Sequence, residues 1–145
     1  MIKPTEEKKI FVYGSLREGF FNYDKYLLGK VSTCDQGMIK GKLYHLSHKG
    51  YPALVDGDDN IMGEIMDMKN FPLDIISLDS MEGYVSNEDT SQNEYTRAVI
   101  DVYNLNTDKF ENCYVYKYEE NNDIDFTLNS DYISHGDWKK YMQSK

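Results

Sequence analysis

Apolar and polar positions alternate in short bursts along this chain, not in long helical stretches. Ile10-Phe11-Val12-Tyr13 is a compact β-branched and aromatic run ending at Gly14, the pattern of a buried strand leaving into a loop. In Gly14-Ser15-Leu16-Arg17-Glu18-Gly19 the glycines stand where a backbone must turn sharply. A short helix is predicted over 23–28, stopping at Gly29. Residues 31–46 read as strand interrupted by Gly37 and Gly41. Such glycines mark the bulges and bends that curl a sheet into a barrel. Residues 51–54 are extended, with Pro52 arguing for an edge or a crossing. Residues 56–60 read as a turn, and 61–68 as another strand, broken by Gly63 beside Glu64.

A helix is predicted over 71–81. Pro72 comes early, where its missing N–H does no harm, and Gly83 stands where a C-terminal glycine ends a helix. Leu73, Ile76 and Met81, with Ile75 and Leu78 alongside, form its apolar stripe. A polar loop over 85–94 leads to a hairpin. Its first strand, 95–104, alternates Thr96, Ala98, Ile100 and Val102; its second, 110–118, alternates Phe110, Tyr114, Tyr116 and Tyr118. Residues 106–109 make the turn. A polar stretch over 119–122 and an amphipathic segment near Trp138 follow. Five to seven strands with two or three short helices, not alternating regularly, point to a small barrel or bent sheet and away from a doubly wound parallel fold.

Composition narrows the function. The 145 residues suit one domain, expected over 9–145 behind a polar tail at 1–8, burying about 68–70% of the unfolded surface. With 16 Lys and Arg against 25 Asp and Glu, the net charge is −9, which repels nucleic acid and anionic lipid at long range. Neither nucleic acid nor membrane is an expected partner. The first nine residues carry no apolar leader, and nothing approaches the run of about 20 apolar residues that spans a bilayer. Two cysteines, Cys34 and Cys113, read as buried thiols, and a reducing cytoplasm is the expected compartment. His45, His48 and His135 read as exposed polar residues, not as a metal set.

Two carboxylates draw attention. Glu82 closes the helix beside Gly83, where the negative end of the helix dipole disfavours its ionised form. Partial desolvation would carry its pKa further towards neutrality, where general bases work best. Glu64, inside an apolar strand, is the second candidate. On composition alone, the reading as surface residues is the favoured one for both.

Taken together, these segments resemble the γ-glutamylcyclotransferase-like family, also called AIG2-like or BtrG-like. The likeness begins at Phe11-Val12-Tyr13-Gly14-Ser15-Leu16-Arg17-Glu18-Gly19, with Asn22 following, and continues through Gly41-Lys42-Leu43-Tyr44 and Tyr51-Pro52-Ala53-Leu54. It runs on through Gly63-Glu64-Ile65, Leu78-Asp79-Ser80-Met81-Glu82-Gly83-Tyr84, Tyr95-Thr96-Arg97 and Gly136-Asp137-Trp138, over about residues 9–141. The resemblance implies an α+β fold, a small mixed β-barrel with short flanking helices, and a pocket between the Tyr13–Leu16 loop and Glu82. It implies an enzyme that turns a γ-glutamyl amine or dipeptide into 5-oxoproline, with Glu82 as general acid and base and no metal or cofactor.

In that reading the amides of Gly14, Ser15 and Leu16 bind anionic oxygen, and Gly14 lets the ligand approach the main chain. Tyr13 shapes the floor, Arg17 divides evenly between an ion pair and a substrate contact, and Tyr116 is a candidate lining residue for which core packing is the favoured alternative. Glu88, Asp89 and Glu94 in the 85–94 loop make a strongly anionic substrate less attractive than a γ-glutamyl amine or neutral dipeptide. Two alternatives stay open: a non-catalytic small-ligand binder on the same fold, and an acid–base hydrolase pairing Glu64 with Glu82 across about 5–9.5 Å.

Overall fold

The computed structural model describes residues 5–144, so residues 1–4 of the polar tail lie outside the described residues. Strand signals become strands β1 (Lys9–Val12), β2 (Val31–Leu46), β3 (Tyr51–Met68), β4 (Tyr95–Asn104), β5 (Lys109–Tyr118) and β6 (Ser130–Tyr132). They lie in the order β3-β1-β5-β4-β2-β6, and a second pairing of β3 with β2 closes five of them into a barrel with β6 appended. The β1–β5 pair is parallel and the others antiparallel, which makes the barrel mixed. Short helices α1 (Phe21–Tyr26), α2 (Phe71–Met81), α3 (Phe126–Asn129) and α4 (Trp138–Gln143) flank it. Among the described residues no helix is long and apolar enough to cross a membrane.

Residues 56–60 are not a turn. β3 runs through them as one strand, and its register against β2 jumps from Lys42↔Val55 to Gly41↔Asp59, so residues 56–58 bulge out. A bulge bends a strand and sharpens its twist, and the bend gives the two halves of β3 different neighbours. Ile65 and Met66 reach β1, whereas the half that carries Pro52 pairs only with β2. Pro52, with no N–H to give, therefore occupies an edge, and its carbonyl accepts the Tyr95 hydroxyl at 2.5 Å.

Alternation along the strands feeds two apolar clusters. Phe11, Tyr13, Leu54, Ile65, Cys113 and Val115 belong to one. Ile10, Val12, Met66, Tyr114, Tyr116 and Tyr118 belong to the other, which α2 covers. Phe110, expected beside these tyrosines, is 70% exposed, because it lies at the turn end of the hairpin against Tyr103.

The buried face of α2 also differs from the expected stripe. Phe71, Ile75 and Leu78 face the core, while Leu73 and Ile76 are exposed. Steps of four and three residues keep 71, 75 and 78 on one face, and the next step of four arrives at Glu82. Cys113 is buried as expected but Cys34 is exposed. His45 is half-buried beside Trp138, whose indole N–H donates to its Nδ1 at 3.1 Å.

Candidate active site

Helix α2 ends in a backbone motif that fixes the position of Glu82. Tyr84 N–H donates to the Asp79 carbonyl at 2.9 Å and Gly83 N–H to that of Ser80 at 3.2 Å, a Schellman pair with Glu82 as the capping residue. The pair needs a left-handed residue after the cap, and Gly83 supplies it with φ 67°. The chain then loops back: Glu94 N–H donates to the Gly83 carbonyl and Tyr95 N–H to that of Glu82. Asn93, almost fully buried, holds the loop together. Its amide oxygen accepts from Val85 and Ser86, and its amide nitrogen donates to Thr96 Oγ1 and the Ser86 carbonyl.

The Glu82 side chain enters a cavity of about 80 Å³ between this helix end and the loop after β1. Burial pushes the Glu82 carboxyl up to about 8, and the negative charges of Glu94 and Asp79 add to the effect. None of the described residues donates a hydrogen bond to this carboxyl.

Across the cavity lie Tyr13, Gly14, Ser15 and Leu16. The Arg17 N–H donates to the Gly14 carbonyl, so the chain turns here. Tyr23 N–H donates to the Ser15 carbonyl, and Asn22 Nδ2 to Ser15 Oγ at 2.8 Å. The amide N–H groups of Gly14, Ser15 and Leu16 meet no acceptor among the described residues. Gly14 is glycine for a tighter reason than ligand approach: a Cβ there would stand 2.6 Å from Pro52 Cγ.

Tyr116 ties the two walls together. Its hydroxyl donates to Asp79 Oδ1 at 2.6 Å, on the helix that carries Glu82, and its carbonyl accepts the Tyr13 hydroxyl. It is both buried and a lining residue, so the two readings of it hold at once. Arg97 Nη1 donates to Asp79 Oδ2 at 2.6 Å and its guanidinium stacks on Tyr114 and Tyr84. Burial raises the Asp79 carboxyl, against the lowering effect of Tyr116 and Arg97.

Two expected participants lie elsewhere. Arg17 is almost fully buried, and its guanidinium is taken by Glu64 (2.9 Å) and Asp137 (2.9 Å), while the Glu18 amide donates to the other Glu64 oxygen. Arg17 is a structural ion-pair residue outside the cavity lining, and Glu64 is neither a surface residue nor a cavity residue. The hydrolase pairing of Glu64 with Glu82 therefore loses its geometric basis. Of the acidic loop residues only Glu94 reaches the cavity; Glu88 and Asp89 are exposed. Tyr51 and Tyr95 line it without having been singled out as site residues, because they converge from β3 and β4, far apart in sequence. Among the described residues no group of three or more His, Cys, Asp or Glu is placed to hold a metal ion.

Residues 10–140 match the family described as gamma-glutamyl cyclotransferase, AIG2-like, and the chain belongs to it. Solved structures share the fold. YkqA from Bacillus subtilis superposes with TM-score 0.65 at 23% identity over 97% of this chain, which spans 44% of that protein. An AIG2-like protein from Mus musculus gives TM-score 0.64 at 22% identity, covering 87% of this chain and 85% of its own. Allophanate hydrolase from Kluyveromyces lactis gives 0.65 at 15% identity over 96% of this chain but only 21% of its own. No curated protein sequence matches the chain.

Proposed function

We propose that this protein is a γ-glutamyl cyclotransferase: it converts a γ-glutamyl amine or γ-glutamyl dipeptide to 5-oxoproline and releases the amine or amino acid. The observation that carries the reading is a carboxyl raised to about 8, free of protein donors among the described residues, in a cavity also lined by Gly14, Ser15 and Leu16, whose backbone amides meet no acceptor among the described residues. The substrate brings both reactants, so the reaction as proposed draws on no metal or cofactor. The α-amino nitrogen bonds to the δ-carbonyl carbon, the bond from that carbon to the leaving nitrogen breaks, and a five-membered lactam remains. Holding the chain curled supplies proximity.

Glu82 moves the protons. A free α-ammonium titrates at about 7.7–8.0, so exchange with a carboxyl at about 8 costs little. Glu82 takes a proton from the ammonium, leaving a neutral amine to attack, and gives it to the departing nitrogen. It then takes the second proton from the new lactam nitrogen. The amides of Gly14, Ser15 and Leu16 receive the negative charge that develops on the carbonyl oxygen. The test is 5-oxoproline release, by mass spectrometry, from γ-glutamyl dipeptides and amines. Wild type is expected to turn over, and Glu82→Gln to fall by about 10²–10⁴. Near-normal turnover in the variant refutes the assignment of Glu82.

A further inference from the structure

Closure of the barrel between β4 and β2 rests on one end of β4. That strand meets β2 only at Tyr103 and Asn104, opposite Met38 and Gly37, although it pairs with β5 along its whole length without a break in register. The hydrogen bonds at its two ends fix which backbone groups the rest of β4 leaves over. Glu119 N–H, just past β5, donates to the Glu94 carbonyl, so even-numbered residues face β5. Tyr95 N–H donates to the Glu82 carbonyl and Leu105 N–H to that of Gln36, so odd-numbered residues face away. Arg97, Val99 and Asp101 therefore aim both N–H and C=O off the edge of the sheet. Among the described residues nothing takes them up.

Sheets blunt a free edge with proline, lysine, a bulge or a cover. Residues 96–102 hold no proline, no lysine and no bulge, and Val99 is 52% exposed at their middle. Arg97 does not guard the edge, because its guanidinium is turned onto Asp79 and the rings of Tyr84 and Tyr114. Helix α2 runs alongside: Ile76, one turn before Asp79 on the same flank, is exposed. On the other face of the strand a groove of about 350 Å³ opens beside Thr96 and Ala98.

We propose that this edge docks a second copy of the chain, the two β4 strands pairing antiparallel about a twofold axis at Val99. In that register the sequence is its own complement. Val99 meets the partner's Val99, a β-branched pair, while Arg97 lies opposite the partner's Asp101 and Asp101 opposite the partner's Arg97. Moved one residue either way, the axis would set Asp101 against the partner's Tyr95 or the partner's Val99. On the groove side Ala98 lies opposite the partner's Ile100, which has the open volume to enter. The net charge of −9 repels a second copy at long range. Arg97 and Asp101 are the only charged residues of β4, and they match across the axis. The inference stands apart from the reaction and meets the cavity only through Arg97, which holds the helix ending at Glu82.

Sedimentation velocity on the full chain, from about 1 to 500 μM, is expected to show a reversible monomer–dimer equilibrium. Val99→Pro removes the central outward N–H and leaves the β4–β5 ladder its bonds, and is expected to weaken the dimer at least about tenfold. Asp101→Arg, at an exposed position, sets like charges opposite each other and is expected to do the same, whether or not the proline variant folds. Crosslinking reads the register, with the exposed Cys34 replaced by Cys34→Ser. Residues that exchange both hydrogen bonds across an antiparallel pair have Cα atoms about 5.5 Å apart, within disulfide reach. Val99→Cys is therefore expected to give a covalent dimer on mild oxidation, and Ile100→Cys, diagonal to its own copy, is not. A chain monomeric throughout overturns the proposal and leaves the edge to a strand of another protein. A dimer indifferent to both Val99→Pro and Asp101→Arg, or Ile100→Cys linking as readily as Val99→Cys, overturns it as well.

Discussion

Glu82 should make this protein less stable as the pH rises, and Glu82→Gln should remove that dependence. In the folded chain the carboxyl titrates at about 8, against its ordinary 4.5, with burial the largest cause. A raised carboxyl keeps its proton in the folded state at pH values where the unfolded chain has lost it. Between the two pKa values the folded state holds more protons, so unfolding free energy falls with rising pH. The contribution is fully present below 4.5 and is lost as pH climbs through about 8.

At about 1.4 kcal/mol per pH unit the ceiling is about 5 kcal/mol, of which about 3–4 kcal/mol is lost between pH 5 and 9. Gln keeps the shape and never ionises. The measurement is chemical denaturation of both proteins at pH 5, 7 and 9. The advantage of Glu82→Gln should widen by about 3 kcal/mol across the series, equivalent to roughly 10 °C in melting temperature, and level off above pH 8. Parallel profiles would mean that the carboxyl is solvated with an ordinary pKa, and the argument for it as a base matched to an ammonium would fall with it.

The remaining expectations concern the same walls. For turnover, the acid limb of kcat/KM should lie near 8, because only the ionised free enzyme accepts an ammonium substrate productively; a limb near the ordinary carboxylate value contradicts the burial of Glu82. Gly14→Ala should cost about 1–3 kcal/mol, read by denaturation, and lower turnover, because its Cβ would stand 2.6 Å from Pro52 Cγ. Arg17→Met should cost about 3 kcal/mol or more by stranding the buried Glu64 carboxylate. Adding Glu64→Gln should recover part of that loss, and a double variant no more stable than the single would deny that the pair is the cause.

Local signals carried most of the architecture. The β-branched run at Ile10–Tyr13, the hairpin across 95–118, and Pro72 with Gly83 around α2 each act through neighbouring residues, and each stands in the structure as read. The misreadings share a cause. The polar 56–60 segment looks like a turn to any local rule, and only its pairing with Gly41 across the sheet makes it a bulge. For α2, the apolar residues offered two faces, and choosing Leu73 and Ile76 hid that Ile75, Leu78 and Glu82 share one. Read by strict helical steps, the sequence already aimed Glu82 inward.

Arg17 could not be assigned from its loop, since its partners Glu64 and Asp137 lie 47 and 120 residues away. The same holds for the rim. Lys49 and Tyr51 meet Glu94 only because the barrel closes, 45 and 43 residues apart in the chain.

The bridge through Tyr116 has a consequence for how such a pocket can diversify. One residue grips the helix that ends at Glu82 with its hydroxyl and the Tyr13–Leu16 loop with its carbonyl. A shift of β5 therefore carries both walls along, and the gap between them acts as a fixed gauge. Variation in what the protein handles then falls to the rim formed by the 47–50 turn and the 85–94 loop, where the bridge from Lys49 to Glu94 runs between exposed side chains. The interior is held to one width, and the entrance is free to change its clientele.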